Sequence, residues 1–185
     1  FEGANYIVAK DRLTEVFKDK EFEVKQKIRG KDLVGLEYEP LFPYFADTEN
    51  GFRVVAADFV STDDGTGVVH IAPAFGDDDY RTGQAEKTGW VQHVTMDGKF
   101  TSEVTDFVGR DVKSKDDPTG TDVEIIKWLA GKEKLFSKAK VVHSYPHCWR
   151  CDTPLLNYST SSWFVRVTDI KDDMLKNNQQ INWVP

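Results

Sequence analysis

Residues 52–60 (FRVVAADFV) and 67–72 (GVVHIA), separated by the turn formers STDDGT, limit what this chain can fold into more than any other feature. Their β-branched residues come in short runs bounded by glycine and Pro73, a pattern of strands and not of helices. Similar runs recur at 5–9 (NYIVA), 90–95 (WVQHVT, before the MDG turn), 139–144 and 157–167. At 22–29 (FEVKQKIR) apolar and polar residues alternate as on a half-buried strand.

Helical signals lie between these runs. Asp11 is placed to cap a short helix with Leu13, Val16 and Phe17 on one face. Asp77, Asp78 and Asp79 open a helix over 78–87, where carboxylates favour the positive end of the dipole, and it stops near Gly89. Asp122 or Thr121 is expected to cap VEIIKWLAGK, and a last helix is expected to start near Thr168 or Asp169. Residues 35–45, with Pro40 and Pro43, are too broken for a helix and read as an extended, packed connection. The expected fold class is mixed α and β, with a β-barrel-like core and peripheral helices in one domain over residues 1–185.

A length of 185 residues suits one core. No apolar run approaches the ~20 residues of a membrane span. The first residues, FEGANYIVAK, carry neither the basic nor the apolar part of a signal peptide and no initiator methionine, so an excised piece of a longer chain is expected. A net charge of −7 argues against a general grip on nucleic acid. Two basic runs, Lys25 to Lys31 and Lys127 to Lys140, read first as solvated surface, and as an RNA contact only if they face the same way.

Two motifs carry chemistry. In GTGVVHIAPAFGDDDY (65–80), a run bearing His70 breaks at Pro73 and falls within a few residues onto three aspartates. A strand end would thus set an imidazole and a carboxylate close together across a tight loop, with no serine or cysteine beside the histidine to suggest a triad. In HCWRC, Cys148 and Cys151 are the only cysteines. Their spacing is that of half a zinc site, and a structural site wants four ligands. A plain buried pair of thiols is the other reading. Pro146 before the motif and Asp152-Thr153-Pro154 after it make a turn, unlike the helix start of a redox pair.

With these residues in view, the chain resembles the editing insertion, or connective polypeptide, of isoleucyl-tRNA synthetases. The matching stretches are Gly65 to Gly76 with Asp78-Asp79-Tyr80, Ser144 to Cys151 with Thr153-Pro154-Leu155, and Ser162 to Arg166 followed by Ile181 to Pro185. Valyl-tRNA synthetases share a similar GTG strand and rank second, since the HIAPAFG continuation and the HCWRC knuckle look isoleucyl.

The resemblance implies an editing domain that hydrolyses valine wrongly attached to the isoleucine tRNA, within a parent enzyme that ligates isoleucine to tRNA with ATP and Mg in the cytoplasm. One methylene separates the two side chains and is worth only ~1–3 kcal/mol, so a second sieve is needed. Asp79 matches the aspartate that holds the substrate's ammonium, and His70 matches the histidine that lines the side-chain pocket and helps exclude isoleucine. Thr66 and Gly67 would set the turn, Phe75, Gly76 and Asp78 would shape the loop, and no residue acts as nucleophile or base.

The resemblance also implies partners: the tRNA acceptor end carrying the misattached valine, and the rest of the synthetase chain, with no membrane. Residues 141–185 would hold the zinc-knuckle half-site and the segment returning to the catalytic core. The family's threonine-rich editing peptide, its partner CxxC and its HIGH- and KMSKS-type signatures are missing from these residues. A non-catalytic tRNA-binding or zinc scaffold therefore stands as the alternative.

Overall fold

The computed structural model describes residues 3–18, 20–140 and 142–184. Among them are four α-helices, α1 (Leu13–Phe17), α2 (Asp77–Glu86), α3 (Gly120–Gly131) and α4 (Val167–Asn178), and two 3₁₀ turns, Lys10–Arg12 and Gly30–Asp32.

The expected β-barrel-like core of a mixed α and β fold is overturned: the described residues contain no strand. Extended segments meet only at isolated antiparallel bridges, Glu37 with Arg53, Val94 with Phe100, Lys99 with Asp111 and His147 with Pro154. The runs at 5–9, 22–29, 52–60, 67–72, 90–95 and 157–167 are all without a strand, and so is 139–144 apart from Val141, which lies outside the described residues. Alternation states which face a strand would bury, but a strand also needs a neighbour for its N–H and C=O groups. Val68 and Val69 instead remain about half exposed, at 52% and 51%. The whole chain exposes 15179 Å², against ~9,000 Å² for a compact monomer of this mass.

The helices follow their local signals more closely. Three aspartates occupy the first turn of α2, which ends where Lys87 turns left-handed (φ 56°), with the Thr88 N–H donating to Gly83 O at 3.0 Å. Neither expected cap of α3 acts as one. Thr119 occupies the N-cap position without a side-chain bond, Thr121 donates to Asp111 O at 2.6 Å, and Asp122 pairs with Lys113 at 2.5 Å. Asp11 lies within the 3₁₀ turn, which has no side-chain cap either. Helix α4 begins at Val167 and buries none of its residues.

Among the described residues the buried hydrophobic ones are Phe17, Ala74, Val94, Val104 and Phe107, and Phe17 and Phe107 each sit in an aromatic cluster. Phe17 is surrounded by Tyr6, Phe22 and Phe136, with ring centroids 4.9–6.0 Å away. In the second cluster Phe107 meets Phe42 and Phe100, and Phe42 stacks on Trp128 of α3 at 4.8 Å. The connection at 35–45, expected to be packed, is so only in part: Phe42 joins this cluster, while Leu36, Tyr38 and Leu41 stay about half exposed.

His93 belongs to the second cluster, stacked on Phe100 and edge-on to Phe75 at 4.9 Å. Burial pushes its imidazole below the ordinary range. The unfolded chain takes up this proton first, near pH ~6.5. The stability contributed by a neutral His93 is therefore complete above that pH and is lost as pH falls through the lower folded value. Thermal melts at about pH 7.5 and pH 5.5 should show a larger acid-induced drop in Tm for the wild type than for His93→Phe, which keeps a ring and cannot titrate. Equal drops would remove His93 as the cause.

Candidate functional site

The turn at 65–67 is pinned to the N-terminal segment. The Ala9 N–H donates to Thr66 O at 2.8 Å, and Arg12 donates from Nε to Gly65 O at 3.0 Å and from Nη1 to Asp63 O at 2.9 Å. The Thr66 hydroxyl accepts from the Val68 N–H at 3.3 Å and donates to Val68 O at 3.1 Å, closing the turn on itself. Gly67 has φ +76°, and a Cβ there would lie 2.4 Å from that of Ala9, so both conformation and space require glycine.

Beyond the turn, His70 stands exposed. The chain then folds back through Pro73 and Ala74, and Asp79, in the first turn of α2, reaches the loop behind it. Asp79 Oδ2 accepts the Ala72 N–H at 2.9 Å. Gly76 allows that approach, since a Cβ at this position would lie 3.0 Å from the same oxygen. Asp77 is neutralised by Arg81 at 2.8 Å, whereas Asp79 has no cationic partner among the described residues. Asp78 is exposed, and its carbonyl accepts the Thr82 hydroxyl at 2.9 Å. The structure thus brings Ala72, Gly76 and Asp79 together, and His70 shares no hydrogen bond with them among the described residues. One anchored, half-buried carboxylate with a second oxygen to spare is suited to accept hydrogen bonds from a small cation such as an ammonium.

Phe75 and Gly76 point to a different feature, a cleft of about 910 Å³ whose walls include Tyr80, Trp90, Gln92 and Tyr158. The Ser159 N–H, donating to Ala74 O at 3.1 Å, ties the far wall to the loop. His70 and Asp79 do not line this cleft. Phe75, Gly76, Asp77 and Tyr80 belong to the motif at 65–80, but Gln84, Trp90, Gln92 and residues 157–161 went unnoticed in the sequence, because the two walls are some 70 positions apart and the far one carries no site motif.

The knuckle is a tight turn. Cys148 N–H donates to Thr153 O at 2.9 Å, Asp152 N–H donates to Cys148 O at 2.8 Å, and Asp152 has φ 57°. Cys148 is half-buried and Cys151 exposed, so the thiols are not a buried pair. Hydrogen bonds from Thr153, whose hydroxyl lies 3.2 Å from Sγ, and then from Cys148 hold the Cys151 thiol down at about 7. Among the described residues no group of three or more histidine, cysteine or acidic side chains is placed to hold a metal. His143 and His147 each turn Nδ1 to a nearby carbonyl, of Ser144 and Tyr145. The two thiols and their surroundings therefore do not fit a closed four-ligand zinc site.

No family model matches the chain. Its whole length is similar to isoleucine–tRNA ligases: 46% identical over 184 residues to that of Bacillus thuringiensis (strain Al Hakam) and 45% over 203 residues to that of Treponema denticola. To the Bdellovibrio bacteriovorus ligase it is 46% identical over 187 residues, 99% of this chain. The chain spans 17% to 18% of the length of these relatives. By sequence it is thus similar to one segment of enzymes of the aminoacyl-tRNA synthetase class. The resemblance to isoleucyl-tRNA synthetase carried by the GTG and HCWRC motifs holds from one end of the chain to the other. No helix among the described residues is long and apolar enough to cross a membrane.

Proposed function

We propose that this chain is the editing segment of an isoleucine–tRNA ligase and that it removes valine from the isoleucine tRNA. The ligase joins isoleucine to tRNA in the cytoplasm with ATP and Mg bound elsewhere in its chain. A pocket that accepts isoleucine also accepts valine, since the missing methylene costs only ~1–3 kcal/mol. A second, hydrolytic pocket corrects the error by admitting valine and excluding the larger side chain.

The observation that carries this reading is Asp79, held on the Ala72 N–H and without a cationic partner among the described residues. It takes the free ammonium of the aminoacyl ester, on the acceptor end of the tRNA. His70, exposed on the segment before it, stands against the side chain and rejects the extra carbon of isoleucine. Thr66, Gly67, Phe75, Gly76 and Asp78 hold the loop between them. The ester is already reactive, so a positioned water completes the hydrolysis without an acyl-enzyme. Residues 141–185 contribute two thiolates of a zinc site finished by the rest of the ligase, and lead back to its catalytic core.

The test is hydrolysis of valyl-tRNA and isoleucyl-tRNA by this chain and by the full ligase. The ligase is expected to cleave the valyl ester and spare the isoleucyl one, and His70→Ala is expected to let the isoleucyl ester be cleaved as well. If neither protein discriminates between the esters, the reading fails, and a non-catalytic tRNA-binding scaffold replaces it.

A further inference from the structure

The Asp79 carboxylate is only as well placed as the turn it is bonded to. The Ala72 N–H donates to Asp79 Oδ2 at 2.9 Å, and the Ala72 carbonyl accepts the Phe75 N–H at 2.9 Å, so residues 72–75 form one hydrogen-bonded turn between His70 and α2. On one side this turn lies against α2, where a Cβ at Gly83 would come within 2.9 Å of Pro73 Cβ. Elsewhere the Ser159 N–H donates to Ala74 O at 3.1 Å, and the Phe75 ring meets the His93 ring edge to face, with centroids 4.9 Å apart at 66°. Tyr158 touches the Phe75 ring more loosely, at 6.5 Å.

His93 is a titratable group in apolar surroundings. Its ring lies parallel to that of Phe100 at 6.0 Å and tilted against that of Phe45 at 6.1 Å. Beside it is a hollow of about 250 Å³, which His93 and Phe75 line together with Val94, Val112, Leu156 and Asn157. Among the described residues no acidic side chain lines the hollow, and no basic one other than His93. Charged and phenolic groups on the neighbouring segments are turned to one another: Lys99 pairs with Asp111 at 3.6 Å, and the Tyr44 hydroxyl donates to Asp106. A neutral imidazole packs here as one more aromatic ring, whereas an imidazolium finds no carboxylate and has to be hydrated. The hollow has room for several waters. Since His93 and Phe75 both line it, water that enters to hydrate the one separates it from the other.

We propose that His93 is a positioning residue for the editing site: while its imidazole is neutral it holds, through Phe75, the 72–75 turn and with it Asp79, and on protonation it releases them. This role rests on the editing function proposed above, and it makes ester hydrolysis sensitive to acid through a residue behind the loop. Burial already disfavours the charged form, so the support is in place at neutral pH and is lost only below the ordinary histidine range.

The test is kcat/KM of the full ligase for valyl-tRNA from about pH 8 to about pH 4.5, each profile scaled to its own value at the upper end, with thermal melts of the same samples. The wild type is expected to lose up to about tenfold per pH unit below the folded pKa of His93. His93→Phe keeps a ring against Phe75 and cannot titrate, so its profile is expected to lack this acid limb. Phe75→Ala cuts the link, and it is expected to lack the limb and to run slower at every pH. The midpoint of the limb is compared with the titration of His93 itself, followed by NMR in ligase ¹³C-labelled in its histidine rings, where the His93 signal is the one that His93→Phe removes. The two midpoints are expected to agree.

The proposal is overturned if His93→Phe or Phe75→Ala keeps the acid limb, if the limb and the His93 signal titrate at different pH, or if the melts show that the limb is unfolding. Failure of the editing reading looks different. It appears at the upper end of the range, where His93 is neutral, as no hydrolysis of valyl-tRNA or as equal hydrolysis by the wild type and Asp79→Asn, and it overturns both.

Discussion

Asp79→Asn in the full ligase is expected to lower the hydrolysis of valyl-tRNA by about 10- to 150-fold, with little change in Tm. The substitution separates two roles of one side chain. An asparagine carbonyl can still accept the Ala72 N–H that Asp79 Oδ2 accepts at 2.9 Å, so the loop keeps its anchor. What disappears is the negative charge, and a hydrogen bond to a charged group is worth about 1.5–3 kcal/mol, which converts to the stated loss at 1.36 kcal/mol per tenfold. Asp79→Ala removes anchor and charge together and should cost both activity and Tm. Steady-state deacylation with thermal melts of the same samples gives the answer. If Asp79→Asn hydrolyses valyl-tRNA like the wild type, Asp79 does not hold the substrate's ammonium.

Gly67→Ala is expected to destabilise the fold by about 2–5 kcal/mol. Two costs combine: a residue with a side chain at φ +76° pays about 1–2 kcal/mol for the left-handed conformation, and forcing a methyl into occupied space typically costs about 1–3 kcal/mol. The occupied space is the Ala9 methyl, 2.4 Å from where the new Cβ would lie. Relief is therefore selective. Adding Ala9→Gly should restore the steric part and leave the conformational part, so the double variant should melt between Gly67→Ala and the wild type. A double variant no more stable than Gly67→Ala would show that the Ala9 contact is not the source of the strain.

The parts of the molecule legible in the sequence are those with local causes. Helix α2 was readable because aspartates at its start act within one turn of the backbone, although its left-handed stop falls on Lys87 and not at the expected Gly89. The start of α4 was readable to within two residues for similar reasons. The caps of α3 were misread because Thr121 and Asp122 had better partners elsewhere, Asp111 O and Lys113, which no local pattern announces. The runs at 52–60 and 67–72 were misread more deeply. Their composition suits a pleated surface, yet a sheet exists only where a second segment supplies the missing hydrogen bonds.

The candidate site divides along the same line. Glycine at 65, 67 and 76 and an aspartate early in a helix are visible as letters, and the long matches in those letters led to the isoleucyl-tRNA synthetase resemblance that the relatives bear out. That Asp79 reaches back to Ala72 and that Gly76 must make room for it follow from how loop and helix fold together. The cleft beside Tyr80 is more remote still, because residues 157–161 come to it from the far end of the chain.

The sequence by itself determined the starts of α2 and α4 to within two residues, the turn glycine at 67 and the kinship, because backbone preference and residue identity act over a few positions. Only the tertiary structure decided which segments lack strand partners, which carboxylate is anchored and where a cleft opens, because hydrogen-bond partners and buried space come from residues far apart in the chain.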